Sequence, residues 1–295
     1  VGPLREDGFH ELATVYHAVS LYDEVTVRAR DPLDADGCGG EGVTVSVEGE
    51  GCDAVPVNGD NLAVRAVHAL AAHTGVVPSV HVTIRKTIPV AAGMAGGSAD
   101  AAAALVACDA LWGTGLERSE LAELSTTLGS DVPFAVMGGT ALGMGRGEQL
   151  TPVLAKGTYH WVFALANRGL STPAVYAELD RQRGEMADDA ANPHVPEELM
   201  VALRSADVSS VGAELFNALQ PAALRLHPAL RRTLQAGREL GALGSLVCGS
   251  GPTVAFLARD ESHAISLAAE LSGAGVSRSV RRAHGPVPGA RVVDS

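Results

Sequence analysis

Pro89-Val90-Ala91-Ala92-Gly93-Met94-Ala95-Gly96-Gly97-Ser98-Ala99-Asp100 is the stretch on which the fold turns. It lies between an alternating apolar run, Val80–Lys86, and an alanine-rich run, Ser98–Trp112, closed by Gly113. The alternation predicts a strand before it, and the longer run predicts a helix after it. Glycines let a backbone wrap closely around an anion with its N–H groups turned inward. A helix start adds unpaired N–H groups and the positive end of the dipole at the same place. No G-K-[ST] follows, so this is not a Walker A loop, and the G-x-G-x-x-G fingerprint is absent. Taken alone, a glycine-rich turn against an alanine-faced helix explains the stretch equally well.

Two further glycine clusters lie downstream. Gly138-Gly139 through Gly143-Met144-Gly145-Arg146-Gly147 follows Gly129-Ser130-Asp131-Val132-Pro133-Phe134, where Asp131 stands just after a predicted helix. Its plain reading is a turn or N-cap carboxylate. Cys248-Gly249-Ser250-Gly251-Pro252 separates two predicted strands, and a tight turn would account for it. Three glycine clusters and a turn-borne Asp together form a sharper pattern than any one of them.

The composition limits the remaining possibilities. The 295 residues include 34 Gly and carry a formal net charge of −12, which argues against sequence-independent nucleic-acid binding. Only Lys86 and Lys156 are lysines, so a phosphate site would draw on backbone N–H groups. With 46% hydrophobic residues the chain can bury a sizeable core. Its most apolar run, Ala101 to Cys108, is far shorter than the ~20 residues of a membrane span. Val1-Gly2-Pro3-Leu4-Arg5 has no signal-peptide character and no initiator Met, so the chain is expected to begin inside a longer sequence. Cys38, Cys52, Cys108 and Cys248 contain no C-x-x-C pair, and the ten histidines show no ligand spacing. A reduced, cytoplasmic protein without a protein-built metal site is expected.

Strands are expected at Glu24–Arg30, Val43–Val47, Val80–Lys86, His160–Ala166, Ser245–Cys248, Thr253–Ala258 and Ser277–Ala283. Helices are expected at Leu62–His73 behind Asp60-Asn61, at Ser98–Trp112 and Leu116–Leu128, and from Thr172-Pro173 to Arg183. Others are expected at Glu197–Arg204, Ser209–Leu219, Pro228–Leu240 and Glu261–Leu271, with Gly184–His194 as a loop. The result is an α+β chain in two halves, 1–153 and 154–295.

At this point the sequence resembles the GHMP kinases. P-V-A-A-G-M-A-G-G-S-A (Pro89–Ala99) is similar to their ATP loop, and C-G-S-G-P (Cys248–Pro252) to their late glycine motif. R-E-D-G-F-H-E-L (Arg5–Leu12), G-S-D-V-P-F (Gly129–Phe134) and G-R-G-E-Q-L-T-P-V (Gly145–Val153) resemble one branch in particular. That branch phosphorylates a cytidyl diphosphate of methylerythritol in the non-mevalonate isoprenoid route.

The resemblance implies a two-domain fold with the active site in the cleft between domains, using ATP and Mg2+. It implies that Pro89, Val90, Ala91, Ala92, Gly93, Met94, Ala95, Gly96, Gly97, Ser98 and Ala99 wrap the ATP phosphates, with Ser98 near the metal. Asp131 would accept the proton of the substrate hydroxyl. Phe9, His10 and Tyr176 would receive the cytosine, and Gly249, Ser250 and Gly251 would approach the phosphates or substrate. Asn61 and Lys86 match positions around the nucleotide, although Asn61 would also serve as a helix cap and Lys86 as a solvated strand end. His17 reads as an ordinary half-buried histidine.

Members of the family start with a P-x-K-x-N strand, and this sequence begins after that point; either the strand lies upstream or this form is impaired. Two alternatives stay open: another GHMP-type kinase, acting on mevalonate or homoserine, and a non-catalytic ligand-binding relative.

Overall fold

The computed structural model describes residues 1–30, 42–186 and 193–293. Cys38 and the middle of the expected Gly184–His194 loop fall outside them. The described chain forms two compact units, interleaved along the sequence. The larger comprises Val1–Ser20, Ala91–Met94 and Gly139–Val287; the smaller comprises Leu21–Val90, Ala95–Gly138 and Pro288–Ser295. A single boundary at 153 divides the chain differently.

The smaller unit is a three-stranded sheet backed by helices. Strands β2 (Glu24–Ala29) and β3 (Val43–Gly49) flank β4 (Val80–Lys86), the first antiparallel and the second parallel to it. In β4 the alternation buries Val80, Val82 and Ile84, and Lys86 continues that buried face. Lys86 is therefore not a solvated strand end. Helix α1 (Leu62–Thr74) starts at the Asn61 cap and stops at Gly75, whose φ of 77° suits glycine.

Helix α2 (Gly96–Trp112) buries Ala101, Ala102, Ala104, Leu105 and Cys108 in the same core. Helices α3 (Arg118–Ser125) and α4 (Val132–Met137) complete the unit; α3 is shorter than the expected Leu116–Leu128 run.

The larger unit carries two antiparallel sheets. One holds β1 (Leu12–His17), β5 (Thr140–Gly145) and β6 (Gln149–Pro152), in the order β1-β5-β6. The other, ordered β10-β7-β9-β8, holds β7 (Tyr159–Leu165), β8 (Gly244–Val247), β9 (Val254–Ala258) and β10 (Ser279–Gly285). Strand β9 is buried along its whole length, as expected of a central strand covered on both faces.

Among the described residues six helices accompany these sheets: α5 (Thr172–Met186), α6 (Glu197–Ser205), α7 (Val208–Ala213), α8 (Gln220–Leu226), α9 (Leu230–Glu239) and α10 (Glu261–Gly273). The helix expected over Ser209–Leu219 ends at Ala213. Asn217 takes its side chain out of the helical pattern, donating to Val247 O at 2.6 Å and Gly249 O at 2.7 Å. Among the described residues no helix is long and apolar enough to cross a membrane, and Cys52, Cys108 and Cys248 are unbridged.

Candidate active site

In the smaller unit the start of α2 is built to receive negative charge. Ala95 caps it in the left-handed region (φ 54°), no side chain occupies the cap, and the first turn holds no acidic residue. The first helical bond runs from Ala99 N to Ala95 O, so the N–H groups of Gly96, Gly97 and Ser98 precede any intrahelical acceptor. Such donors, with the dipole behind them, suit a phosphate.

Immediately behind this terminus lies a buried ion cluster. Lys86 Nζ donates to Asp100 Oδ2 at 2.7 Å and also to Asp23 Oδ2, and its side chain is 2% exposed. Asp23 Oδ1 in turn accepts from Thr87 N at 2.5 Å and Ile88 N at 2.8 Å, fixing the backbone that leaves β4. Burial pushes the Asp100 carboxyl up to about 7, against the pull of Lys86. A nucleotide contact through Nζ would require breaking these pairs. Asn61 is similarly occupied: Oδ1 accepts from Ala63 N at 2.9 Å and Nδ2 donates to Pro56 O at 2.7 Å.

Asp131 is half-buried at the N-cap position of α4, and its side chain does not cap that helix. The other end of α4 is held by Arg118, whose guanidinium donates to Val136 O and, at 3.0 Å, to Ala290 O.

In the larger unit, two of the three glycine clusters meet. A Cβ placed on Gly93 (φ 73°) would stand 2.5 Å from Gly251 O and 3.0 Å from Cys248 O. Ala92 O accepts from Thr253 N at 3.4 Å. The turn itself is braced by Gly251 N donating to Cys248 O at 2.7 Å, by Asn217, and by the Ser250 hydroxyl 2.8 Å from that of Thr172.

The same unit assembles Phe9, His10 and Tyr176. Leu4 and His10 form a bridge across a turn in which Arg5 N donates to Phe9 O at 2.7 Å and Gly8 takes φ 81°. Phe9 projects from it, 49% exposed, with the Arg146 guanidinium 5.1 Å from its ring centre. His10 turns inward, 5% exposed, and stacks on Tyr176 at 4.9 Å with 29° between the rings. Its Nε2 lies 2.9 Å from Asp180 Oδ1, one helical turn beyond Tyr176 on α5.

His17 is also half-buried: Nδ1 lies 2.9 Å from Thr140 Oγ1, and burial lowers its pKa to about 4. Asp23, Asp100, Arg146, Asn217 and Asp180 were not singled out by the sequence. Only the i, i+4 spacing of Tyr176 and Asp180 offered a signal for any of them.

Comparison with known proteins shows the family. The model of the GHMP kinases N terminal domain matches residues 61–139, and that of the GHMP kinases C terminal region matches 199–277. The chain is 55% identical to 4-diphosphocytidyl-2-C-methyl-D-erythritol kinase of Salinispora tropica, covering 99% of this chain and 90% of that one. A crystal structure of 4-(cytidine 5'-diphospho)-2C-methyl-D-erythritol kinase superimposes with a TM-score of 0.73 at 30% identity, over 95% of this chain and 92% of that one. The L. major mevalonate kinase in complex with R-mevalonate shares the fold, with a TM-score of 0.74 at 18% identity over 95% and 91% of the two chains. The chain belongs to the 4-diphosphocytidyl-2-C-methyl-D-erythritol kinase family of GHMP kinases.

Proposed function

We propose that this protein transfers the γ-phosphoryl group of ATP to the 2-hydroxyl of 4-diphosphocytidyl-2-C-methyl-D-erythritol, giving ADP and the 2-phosphate. The observation that carries the choice of substrate is the stack of His10 on Tyr176, with the exposed Phe9 next to His10 in the chain. A flat base needs such surfaces, whereas mevalonate and homoserine have no ring to stack.

In this reading the segment Pro89–Ala99 holds the nucleotide phosphates through backbone N–H groups, including those that open α2. Asn61 and Lys86 serve that segment by fixing the starts of α1 and α2, and Gly249–Gly251 backs its Ala91–Met94 part. Asp131 receives the proton as the hydroxyl oxygen bonds to the γ-phosphorus and the bond to the leaving ADP oxygen breaks.

Mg2+ would supply positive charge that offsets that of the nucleotide phosphates. The Ser98 hydroxyl is the side chain in this segment suited to it. Among the described residues no group of three or more His, Cys, Asp or Glu is placed to hold a metal ion. The acidic chain offers nucleic acid no basic footing, and dependence on ATP fits a cytoplasmic enzyme.

Phosphorus NMR of the full natural polypeptide with ATP and the cytidyl substrate tests the assignment. Equal amounts of ADP and a new phosphomonoester on the methylerythritol 2-position are expected. Turnover of ATP without that ester would refute it.

A further inference from the structure

We infer that Asp180 is a positioning residue that sets the tautomer of His10 and thereby the preference for an amino-pyrimidine over a keto-pyrimidine. The inference rests on the cytidyl reading above and adds a residue and a selection rule to it. His10 is 5% exposed and bounded on a face by Tyr176 at 4.9 Å and on an edge by Asp180 at 2.9 Å. The ring therefore has little freedom to turn. The carboxylate of Asp180 can only accept, so the Nε2 it faces carries the hydrogen.

In a neutral imidazole the other nitrogen, Nδ1, is then an acceptor. Among the described residues no hydrogen bond reaches Nδ1. A fixed acceptor at that edge complements the exocyclic amine of cytosine, and it repels the carbonyl oxygen that uracil presents at the same place. Loss of Asp180 would let the ring protonate Nδ1 instead and offer a donor. A site built around one polar match rejects the mismatched analogue, because a buried polar group is left unpaired. Asp180 is itself 43% exposed and distant in sequence, so its carboxylate acts through the histidine.

The test compares the cytidyl substrate with its uridyl counterpart in wild type, Asp180→Ala and Asp180→Asn. It is paired with nitrogen NMR of labelled histidine, with the His10 signals assigned by their loss in His10→Gln. Wild type is expected to show the hydrogen on Nε2. The cytidyl-over-uridyl ratio of kcat/KM is expected to fall about tenfold or more in Asp180→Ala, mostly through KM. Asp180→Asn, which keeps an acceptor oxygen without the charge, should lie between; it carries the test if the alanine variant does not fold. A hydrogen on Nδ1 in wild type, or an unchanged ratio in the folded variants, overturns the inference alone. A wild type inactive on the cytidyl substrate removes the functional reading and the inference with it.

Discussion

Lys86 Nζ donates to Asp100 Oδ2 across 2.7 Å, a buried pair that ties the last residue of β4 to the second turn of α2. With Asp23 on the same ammonium, one positive charge serves two carboxylates. The consequence for stability has a definite sign. Burial raises the Asp100 carboxyl to about 7 from an ordinary value of 3.8. Between those values the folded protein keeps a proton that the unfolded chain has lost, so stability from this group falls as pH rises through the window.

Asp100→Asn keeps an oxygen for Lys86 and removes the titration. Urea unfolding at about pH 5 and about pH 8 should show wild type losing on the order of 1 kcal/mol or more relative to the variant. Parallel pH dependence of the two proteins would contradict this origin.

Gly93 and Ala95 separate two reasons for glycine in the loop. Both take a left-handed backbone, at φ 73° and φ 54°, yet Ala95 carries its Cβ. At Gly93 a Cβ would lie 2.5 Å from a backbone oxygen. Gly93→Ala is expected to cost about 1–3 kcal/mol of local strain and to raise the KM for ATP on the order of tenfold. Ala95→Gly should leave stability within about 1 kcal/mol of wild type, or improve it. Equal behaviour of the two variants would show that close approach does not matter.

Phe9 projects from its turn with one face under Arg146. Removing the ring should weaken base binding by about 1–3 kcal/mol, a KM increase of about tenfold for the cytidyl substrate. Because the ring is half-exposed, the unfolding midpoint should move little. A large loss of stability with unchanged KM would make Phe9 a packing residue.

Asp131→Asn replaces the proposed proton acceptor with a group of the same shape. Turnover is expected to fall about 10²–10⁴-fold, with substrate binding and the unfolding midpoint close to wild type. Near-normal kcat would remove Asp131 from the reaction.

Much of this fold was legible in the sequence, because its core elements carry undiluted periodicity. Strand β4 alternates cleanly, α1 has a cap at Asn61 and a stop at Gly75, and α2 carries the apolar run Ala101–Cys108. What escaped has physical reasons. In β5 and the turn that leads to β6 the alternation is interrupted by Gly143, Gly145 and Gly147, where Tyr16 packs too close for a side chain at Gly143 and Gly147. Helices α4 and α8 span only six and seven residues, each with a Pro in its first turn, too short for a period to register.

The candidate site divides in the same way. Phe9, His10 and Tyr176 were identifiable as residue types in family motifs, and the structure brings His10 and Tyr176 into contact. Asp180 has no such signature, since an acid on the open side of a helix reads as solvated until its histidine partner, 170 residues away, is located.

The most direct test of the account is kcat/KM with ATP for the cytidyl substrate, mevalonate and homoserine, measured side by side on the full natural polypeptide. The account predicts phosphorylation of the cytidyl substrate with a preference of roughly 10³ or more over the others, since they leave the base-binding groups unmatched. Turnover of mevalonate or homoserine at or above the cytidyl rate would contradict it.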